Sequence, residues 1–304
     1  MEAEVAVLYG GISRERSVSL KSGANIISSL ENLGYKTVPF DLTLSNIRDM
    51  EDLRKCDLVF NMLHGRFGED GCVQGYMELL GINYTGSDTH SSAVCFNKET
   101  TYRLLANSVR LPAWKAFGSV EEAESWEFFP AVVKPVSEGS SIGIEICDDP
   151  GILKEAVTRT LKTYGRVLVE EYVRGTEVTV SVLTKNGAPV VLPVLEIRPK
   201  KRFYDYEAKY TAGLTDFMAP AELNKDALEE LETMSKMIFK ELDCRDLARI
   251  DGIIRDGVFF FLEVNTIPGM TDLSDLPLSA RAQGMTFEDV TQWIVEEAGL
   301  RKQR

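Results

Sequence analysis

The stretch Phe261-Leu262-Glu263-Val264-Asn265-Thr266-Ile267-Pro268-Gly269 is an apolar run that ends in an acid and an amide two residues apart. In a β-strand, residues i and i+2 share a face, so Glu263 and Asn265 present oxygen atoms side by side. Upstream, Leu247-Ala248-Arg249-Ile250-Asp251 is a second apolar run that ends in an acid, and the turn signal Arg255-Asp256-Gly257 lies between the two. Paired as a hairpin, the runs bring Asp251 near Glu263 and Asn265. Three hard oxygens with space for water and phosphate suit Mg²⁺ or Mn²⁺ better than a soft metal. The alternative is a pair of strand ends carrying solvated acids.

Outward from this hairpin, the chain has 304 residues, more than one ordinary core, so two or three domains are expected. It is 44% hydrophobic and 27% charged, the balance of a soluble globular protein. A formal net charge of −13 argues against bulk attraction to nucleic acid or anionic membrane. Five cysteines (Cys56, Cys72, Cys95, Cys147, Cys244) lack CxxC spacing, which argues against a zinc site or disulfide framework and for a reducing compartment. The N-terminus does not read as a signal peptide, and no apolar run approaches the ~20 residues of a membrane span. A cytoplasmic location is expected.

Val5–Tyr9 reads as a buried strand, followed by Gly10-Gly11 and a helix over Ser17–Leu33. Strands at Thr37–Phe40 and Leu58–Met62 and a helix at Cys72–Leu80 complete an open parallel α/β unit over about residues 1–95. Ligands in such sheets bind beyond the carboxyl ends of the strands, where Gly10-Gly11 and His64-Gly65 lie. A second unit follows, with a helix at Lys98–Asn107, strands at Ala131–Lys134 and Ile142–Ile146, a helix opened by Asp149-Pro150, and a strand at Val167–Glu171. From Thr176 the strands lengthen, Thr176–Leu183 and Val190–Ile197. A polar, aromatic loop over Lys200–Pro220, a helix at Asp226–Leu242, the hairpin and a last helix at Phe287–Glu297 complete the chain.

Four further segments carry chemistry. Lys134-Pro135-Val136-Ser137-Glu138-Gly139-Ser140-Ser141-Ile142-Gly143 lets backbone N–H groups approach phosphate oxygens, with Lys134 as a point charge. It is neither a Walker A loop nor a GxGxxG pattern, and an ordinary hairpin loop is the alternative. Val167–Val173 reads as an interdomain strand. Glu170, Glu171 and the Tyr172-Val173 backbone would meet an adenine and Glu177 its ribose, or the segment is a plain sheet strand. Phe203-Tyr204-Asp205-Tyr206-Glu207-Ala208-Lys209-Tyr210 is too aromatic for an ordinary exposed loop and reads as a lid over a polyanion, with Lys209 facing phosphate and Tyr210 capping the site, or as a packed structural loop. Gly10–Ser19 ends a strand and starts a helix; Glu15 there holds a substrate ammonium or simply favours the helix dipole. His64, one of two histidines, is a catalyst or a satisfied structural residue.

In this order, Gly-Gly-Ile-Ser-Arg-Glu-Arg-Ser-Val-Ser-Leu (10–20), Leu-His-Gly-Arg-Phe-Gly-Glu-Asp-Gly (63–71), Val-Lys-Pro-Val-Ser-Glu-Gly-Ser-Ser-Ile-Gly (133–143), Tyr-Asp-Tyr-Glu-Ala-Lys-Tyr (204–210) and Glu-Val-Asn-Thr-Ile-Pro-Gly-Met-Thr (263–271) resemble the D-alanine–D-alanine ligases of the ATP-grasp superfamily. The likeness runs over nearly the whole chain. It implies a Rossmann-like, pre-ATP-grasp α/β domain at 1–96 that binds substrate, then a two-part α+β ATP-grasp fold, with a central subdomain at 97–181 and a C-terminal subdomain at 182–304 bearing lid and metal site. It also implies the reaction: one D-alanine carboxylate attacks the γ-phosphate of ATP, and the acyl phosphate is attacked by a second D-alanine. The product serves peptidoglycan precursor synthesis.

The roles implied by the resemblance follow the motifs. Lys98, Lys134 and Lys209 neutralise phosphates; Glu170, the Glu171-Tyr172-Val173 backbone and Glu177 hold adenosine. Asp251, Glu263 and Asn265 ligate two Mg²⁺ or Mn²⁺. Glu15 binds the first ammonium, His64 orients Glu15, and Ser140, Glu15 and Tyr210 tie the lid to the substrate end. Arg249 and the Gly269 N–H stabilise the oxyanion, and Ser274 binds the second carboxylate. Tyr210 favours D-alanine over D-lactate as acceptor. Asp275 departs from the Leu of many members and puts like charge beside a carboxylate site, and Leu273 also departs from a polar residue in some. A homodimer through the N-terminal domain is the family habit. Competing expectations are the same chemistry with D-Ser or D-lactate, and a catalytically silent nucleotide-binding regulator.

Overall fold

Val5, Ala6, Val7 and Leu8 are all at most 1% exposed, as a parallel strand covered on both faces must be. They form the middle strand of the first sheet in a computed structural model that describes residues 3–200, 211 and 213–299. The elements there are β1 (Glu4–Gly10), α1 (Arg16–Asn32), β2 (Lys36–Leu42), a 3₁₀ stretch (Ile47–Lys55), β3 (Leu58–Asn61) and α2 (Cys72–Leu79). The order is β2-β1-β3, all parallel. Alternation divides β1 between two cores: Val5 and Val7 pack with Ile26 and Leu30 of α1, Ala6 and Leu8 with Met50, Leu53 and Met77.

Helices α3 (Thr89–Phe96) and α4 (Lys98–Leu105) meet at Asn97, whose side chain accepts the Thr100 N–H at 2.9 Å and starts α4. They lead into a second sheet built from β4 (Trp114–Phe117), the short α5 (Val120–Ala123), β5 (Ala131–Pro135), β6 (Glu145–Cys147), α6 (Pro150–Tyr164) and β7 (Val167–Glu171). Its order is β4-β7-β5-β6, antiparallel throughout. Asp149 caps α6 through the N–H groups of Gly151 and Ile152, with Pro150 in the first turn and Gly165 at φ 74° ending it. The strand expected from Ile142 begins only at Glu145, because Ser140, Ser141 and Gly143 all have positive φ (51°, 57° and 75°) and turn the chain there.

The third sheet holds β8 (Thr176–Lys185), β9 (Ala188–Val191), β10 (Leu195–Pro199), β11 (Thr215–Met218), β12 (Leu247–Arg255) and β13 (Val258–Asn265), with α7 (Lys225–Glu241), α8 (Asp275–Ala282) and α9 (Phe287–Gly299) around it. The order is β11-β10-β8-β12-β13, and β9 pairs with the far end of β8. The strand expected over Val190–Ile197 is thus two. Between the pairs Val182↔Val191 and Thr179↔Leu195, three residues oppose two, a bulge centred on Pro193, which has no N–H for the ladder. Part of the expected 200–220 loop is a strand, β11, which pairs antiparallel with β10. The expected division at 181/182 falls inside β8, which lies wholly in the third sheet. Helix α9 returns to the start of the chain: Val290, Ile294, Val295 and Ala298 share a core with Val5, Val7 and Ile26.

Candidate active site

The hairpin β12–β13 closes with Asp256 and Gly257 at φ 54° and 77°, the two left-handed positions that match strand twist in a two-residue turn. Its register sets Asp251 opposite Glu263 and Arg249 opposite Asn265. A bulge follows Asp251 at Gly252, where a Cβ would lie 2.1 Å from the Phe259 ring and 2.5 Å from the Phe260 carbonyl, so no larger residue fits. The three oxygens expected to hold metal therefore share one end of one hairpin. Each already has a protein partner. Arg249 donates from Nε and Nη2 to the two Asp251 oxygens (2.9 and 2.7 Å), and Thr179 Oγ1 donates to Asp251 Oδ1 (2.6 Å). Lys98 Nζ lies 3.0 Å from Glu263 Oε2, and Asn265 Oδ1 accepts the Ile267 N–H at 2.9 Å. Among the described residues no three His, Cys, Asp or Glu side chains gather as a metal cluster; the hairpin offers two carboxylates and an amide. That all-oxygen set fits a hard divalent cation.

Between the second and third sheets lies a cavity of about 380 Å³. Val132, Ile144, Ile146, Val173, Ile253 and Leu262 give it apolar walls; Lys134, Glu177, Asp251 and Glu263 stand at its polar edge. Lys134 and Glu170 form a buried ion pair, 2.7 Å apart, with side chains 5% and 4% exposed. The other Glu170 oxygen accepts the Tyr102 hydroxyl at 2.8 Å. Burial, with the Glu170 charge beside it, pushes the Tyr102 hydroxyl well above its ordinary pKa, so it remains a donor. Both Glu170 oxygens are thus engaged, and the geometry makes it the holder of Lys134. The N–H groups of Glu171 and Tyr172 are also taken, by the Ala113 and Pro130 carbonyls at 2.8 and 2.9 Å. Those two do not serve as the backbone donors expected for a base, and the Glu171 carboxylate reaches Arg255 Nη1 at 2.6 Å instead.

Glu15 lies one residue before α1 and is 6% exposed. Two glycines make its niche: a Cβ on Gly65 would lie 2.6 Å from Glu15 Oε2, and one on Gly139 would lie 2.9 Å from it. The Ser140 hydroxyl bonds Glu15 Oε1, which ties the Gly-rich loop to the N-terminal unit. Ser140 does this from a left-handed backbone conformation unusual for a residue with a Cβ, a local strain of the kind found at functional sites. His64, expected to orient Glu15, has Nδ1 3.7 Å from Glu69 Oε1, and its carbonyl accepts the Ser13 hydroxyl at 2.6 Å. Glu69 is buried and also accepts the Gly65 N–H at 2.7 Å. Lys98 joins the two regions: its Nζ donates to the Glu138 carbonyl at 2.7 Å and contacts Glu263. A small cavity of about 30 Å³ lies among Lys98, Ser140, Glu263 and Asn265.

Beyond β13 the chain turns at Gly269, where a Cβ would lie 2.8 Å from Ser274 Oγ. That hydroxyl accepts the Thr271 N–H at 3.0 Å, and Ser22 of α1 accepts the Met270 N–H at 3.1 Å, so the turn is pinned to the N-terminal unit. Asp275, the first residue of α8, is 7% exposed, and its Oδ2 lies 3.3 Å from Arg249 Nη1. Its charge is therefore matched by a guanidinium. Burial opposes the Arg249 charge, but Asp251 and Asp275 outweigh it and hold the group well above its ordinary pKa. Lys209 and Tyr210, with the aromatic segment before them, lie outside the described residues. Sequence reasoning passed over Tyr102, Thr179 and Glu69, and saw Asp275 only as a departure. Only Glu69, five residues after His64 in one motif, left a local signal.

Residues 43–87 match the family model described as D-ala D-ala ligase N-terminus, and residues 107–296 the one described as D-ala D-ala ligase C-terminus. Over 295 residues the chain is 46% identical to a D-alanine–D-alanine ligase of Pseudothermotoga lettingae, covering 97% of this chain and 99% of that protein. The fold matches the D-alanine–D-alanine ligase from Bacillus anthracis complexed with ATP at TM-score 0.85 and 32% identity, over 98% of this chain and 97% of the other. It also matches the VanG D-Ala:D-Ser ligase from Enterococcus faecalis at TM-score 0.84 and 28% identity, over 98% and 100%. With both halves matched and nearly half the residues shared along almost its full length, the chain belongs to the D-alanine–D-alanine ligase family.

Proposed function

We propose that the protein joins two D-alanines at the expense of ATP, through an acyl phosphate, in peptidoglycan precursor synthesis. One observation carries the reading. An apolar-walled cavity ends in Asp251 and Glu263, and the Lys98–Glu263 contact leads from there to the Glu15–Ser140 niche. A nucleotide whose base lies among Val132, Ile144 and Leu262 has its phosphates directed at Lys134, Lys98 and the hairpin. Glu177 at the cavity edge is the ribose acceptor. Buried Glu15 supplies negative charge for the first ammonium, within a niche that excludes a larger neighbour.

Asp251, Glu263 and Asn265 would hold the divalent cations, Mg²⁺ or Mn²⁺. When bound, these offset charge on the phosphates during transfer. With cations held there, Lys98, which pairs with Glu263, would be placed to face phosphate, and Arg249, which pairs with Asp251, would be placed to face the oxyanion. Each such donor is worth about 3 kcal/mol in the transition state. Ser274, at the start of α8, receives the second carboxylate. The pairing of Asp275 with Arg249 matches that acid's charge, which supports D-alanine there. Lys209 and Tyr210 complete the site in this reading by resemblance alone. No helix among the described residues is long and apolar enough to cross a membrane. A cytoplasmic homodimer belongs to the same proposal, with light scattering as its check.

The test is phosphate and ADP release with D-alanine, D-serine and D-lactate, alone and in pairs, with products identified by mass. D-alanine alone gives turnover and a dipeptide. ADP release indifferent to D-alanine, or a mixed product in preference to the dipeptide, defeats the proposal.

A further inference from the structure

Arg249 sits between carboxylates supplied by two different elements. Its Nε and Nη2 fork grips Asp251 on β12, and its Nη1 lies 3.3 Å from Asp275 on α8. The guanidinium side chain is 12% exposed and that of Asp275 9%. In the reading proposed above, on which this inference rests, Asp251 also serves a divalent cation. A cation that drew on Asp251 would compete with the guanidinium for the same carboxylate charge and weaken that fork. A buried guanidinium that loses its only anion is costly to leave in place and swings toward water or another acid. Arg249 has a second anion on an independent support. Helix α8 is anchored at its first residue, because the preceding turn is tied by Thr271–Ser274 and by Met270–Ser22.

We propose that Asp275 is a positioning residue that retains Arg249 while Asp251 turns to the cation, so that the guanidinium keeps its place on the side of Ser274 and Gly269. Without it, one arginine would have to choose between securing a metal ligand and facing the oxyanion. With it, the two duties separate: Asp251 is released in part, and Arg249 pivots on Nη1.

The Arg249 Nε–H resonance, assigned by its loss in Arg249→Lys, reads this directly in the full-length protein. In the unsubstituted protein the signal stays sharp before and after addition of Mg²⁺ with a non-hydrolysable ATP analogue. In Asp275→Asn it is sharp before and broadened after. A signal that survives Mg²⁺ in Asp275→Asn, or broadens equally in the unsubstituted protein, overturns the proposal. Kinetically, Asp275→Asn lowers kcat about tenfold with KM for ATP within about twofold. Asp275→Glu restores most of kcat, and Asp275→Asn costs nothing further in an Arg249→Ala background. The same loss in that background means Asp275 does not act through Arg249, and unchanged kcat in Asp275→Asn also overturns the proposal. Asp275→Ser, which keeps a polar first turn, replaces Asn if that variant does not fold. D-alanine-dependent dipeptide synthesis by the unsubstituted protein judges the functional reading separately from these comparisons.

Discussion

Gly139 has no side chain because Glu15 occupies the space where one would go. A methyl group there meets Glu15 Oε2 at 2.9 Å and Oε1 at 3.1 Å, and the backbone of Gly139 is not in the left-handed region, so the clash is the main cost. Gly139→Ala is expected to fold with nearly unchanged thermal stability and to raise KM for the first D-alanine about tenfold, because it displaces a carboxylate that must be placed to within a fraction of an ångström. Steady-state kinetics at saturating ATP measure this; an unchanged KM would remove Glu15 from the ammonium site. At this scale, motif residues were legible. Asp251 and Glu263 stand in short runs whose type and spacing suggest oxygen ligands; the run around Glu15 left ammonium binding and the helix dipole both open, and Ser140 was picked out only through the resemblance. The residues that hold them were not. Tyr102 reaches Glu170 from 68 positions away and Thr179 reaches Asp251 from 72, and no local pattern marks a partner supplied by a distant element.

Glu99, in the first turn of α4, shows how a single carboxylate joins elements. It receives Arg166 Nε and Nη2 at 2.6 Å each and Arg103 Nη2 at 2.6 Å, binding α4 to the start of β7. The Arg166 fork, against the opposing effect of burial and with help from the Arg166 and Arg103 charges, holds the Glu99 carboxyl below its ordinary range. A depressed folded-state pKa contributes stability that is complete above the unfolded value, about 4.3, and is lost as pH falls through the lower folded value. Glu99→Gln is therefore expected to cost about 1–2 kcal/mol at neutral pH, with the difference from the unsubstituted protein narrowing as pH falls below the ordinary carboxylate range. Urea denaturation at a series of pH values measures this; a pH-independent difference would mean the effect is packing alone. Long elements such as β1, α1, α6 and β13 were legible from their apolar runs and the turn residues that bound them, and α6 also from its Asp149–Pro150 start. The Pro193 bulge was not, since the apolar run continues through it and only the register against β8 exposes the break. Strand β11 was missed for a related reason: four residues at a sheet edge carry little pattern of their own.

The molecule closes on itself through α9. One face of the first sheet, Val5 and Val7 with Ile26 and Leu30 between, is completed by Val290, Ile294 and Val295. Deleting residues 287–304 is expected to expose part of the core that β1 and α1 share with α9, and to replace a single cooperative thermal transition with a broad one or with aggregation, as seen by calorimetry and light scattering. A sharp transition at an unchanged midpoint would show that α9 is dispensable. The succession of units along the chain was legible from the change in pattern at Thr176. That the last helix belongs to the first core was not, because an amphipathic stripe states that it will be covered without saying by what. This closure also bears on how the protein is made. As the chain leaves the ribosome, the β1 sheet emerges well before α9, and the core it shares with α1 stays incomplete until that helix is synthesised. A chain stalled before α9 exposes apolar surface beside β1 and α1, where chaperones would be needed longest.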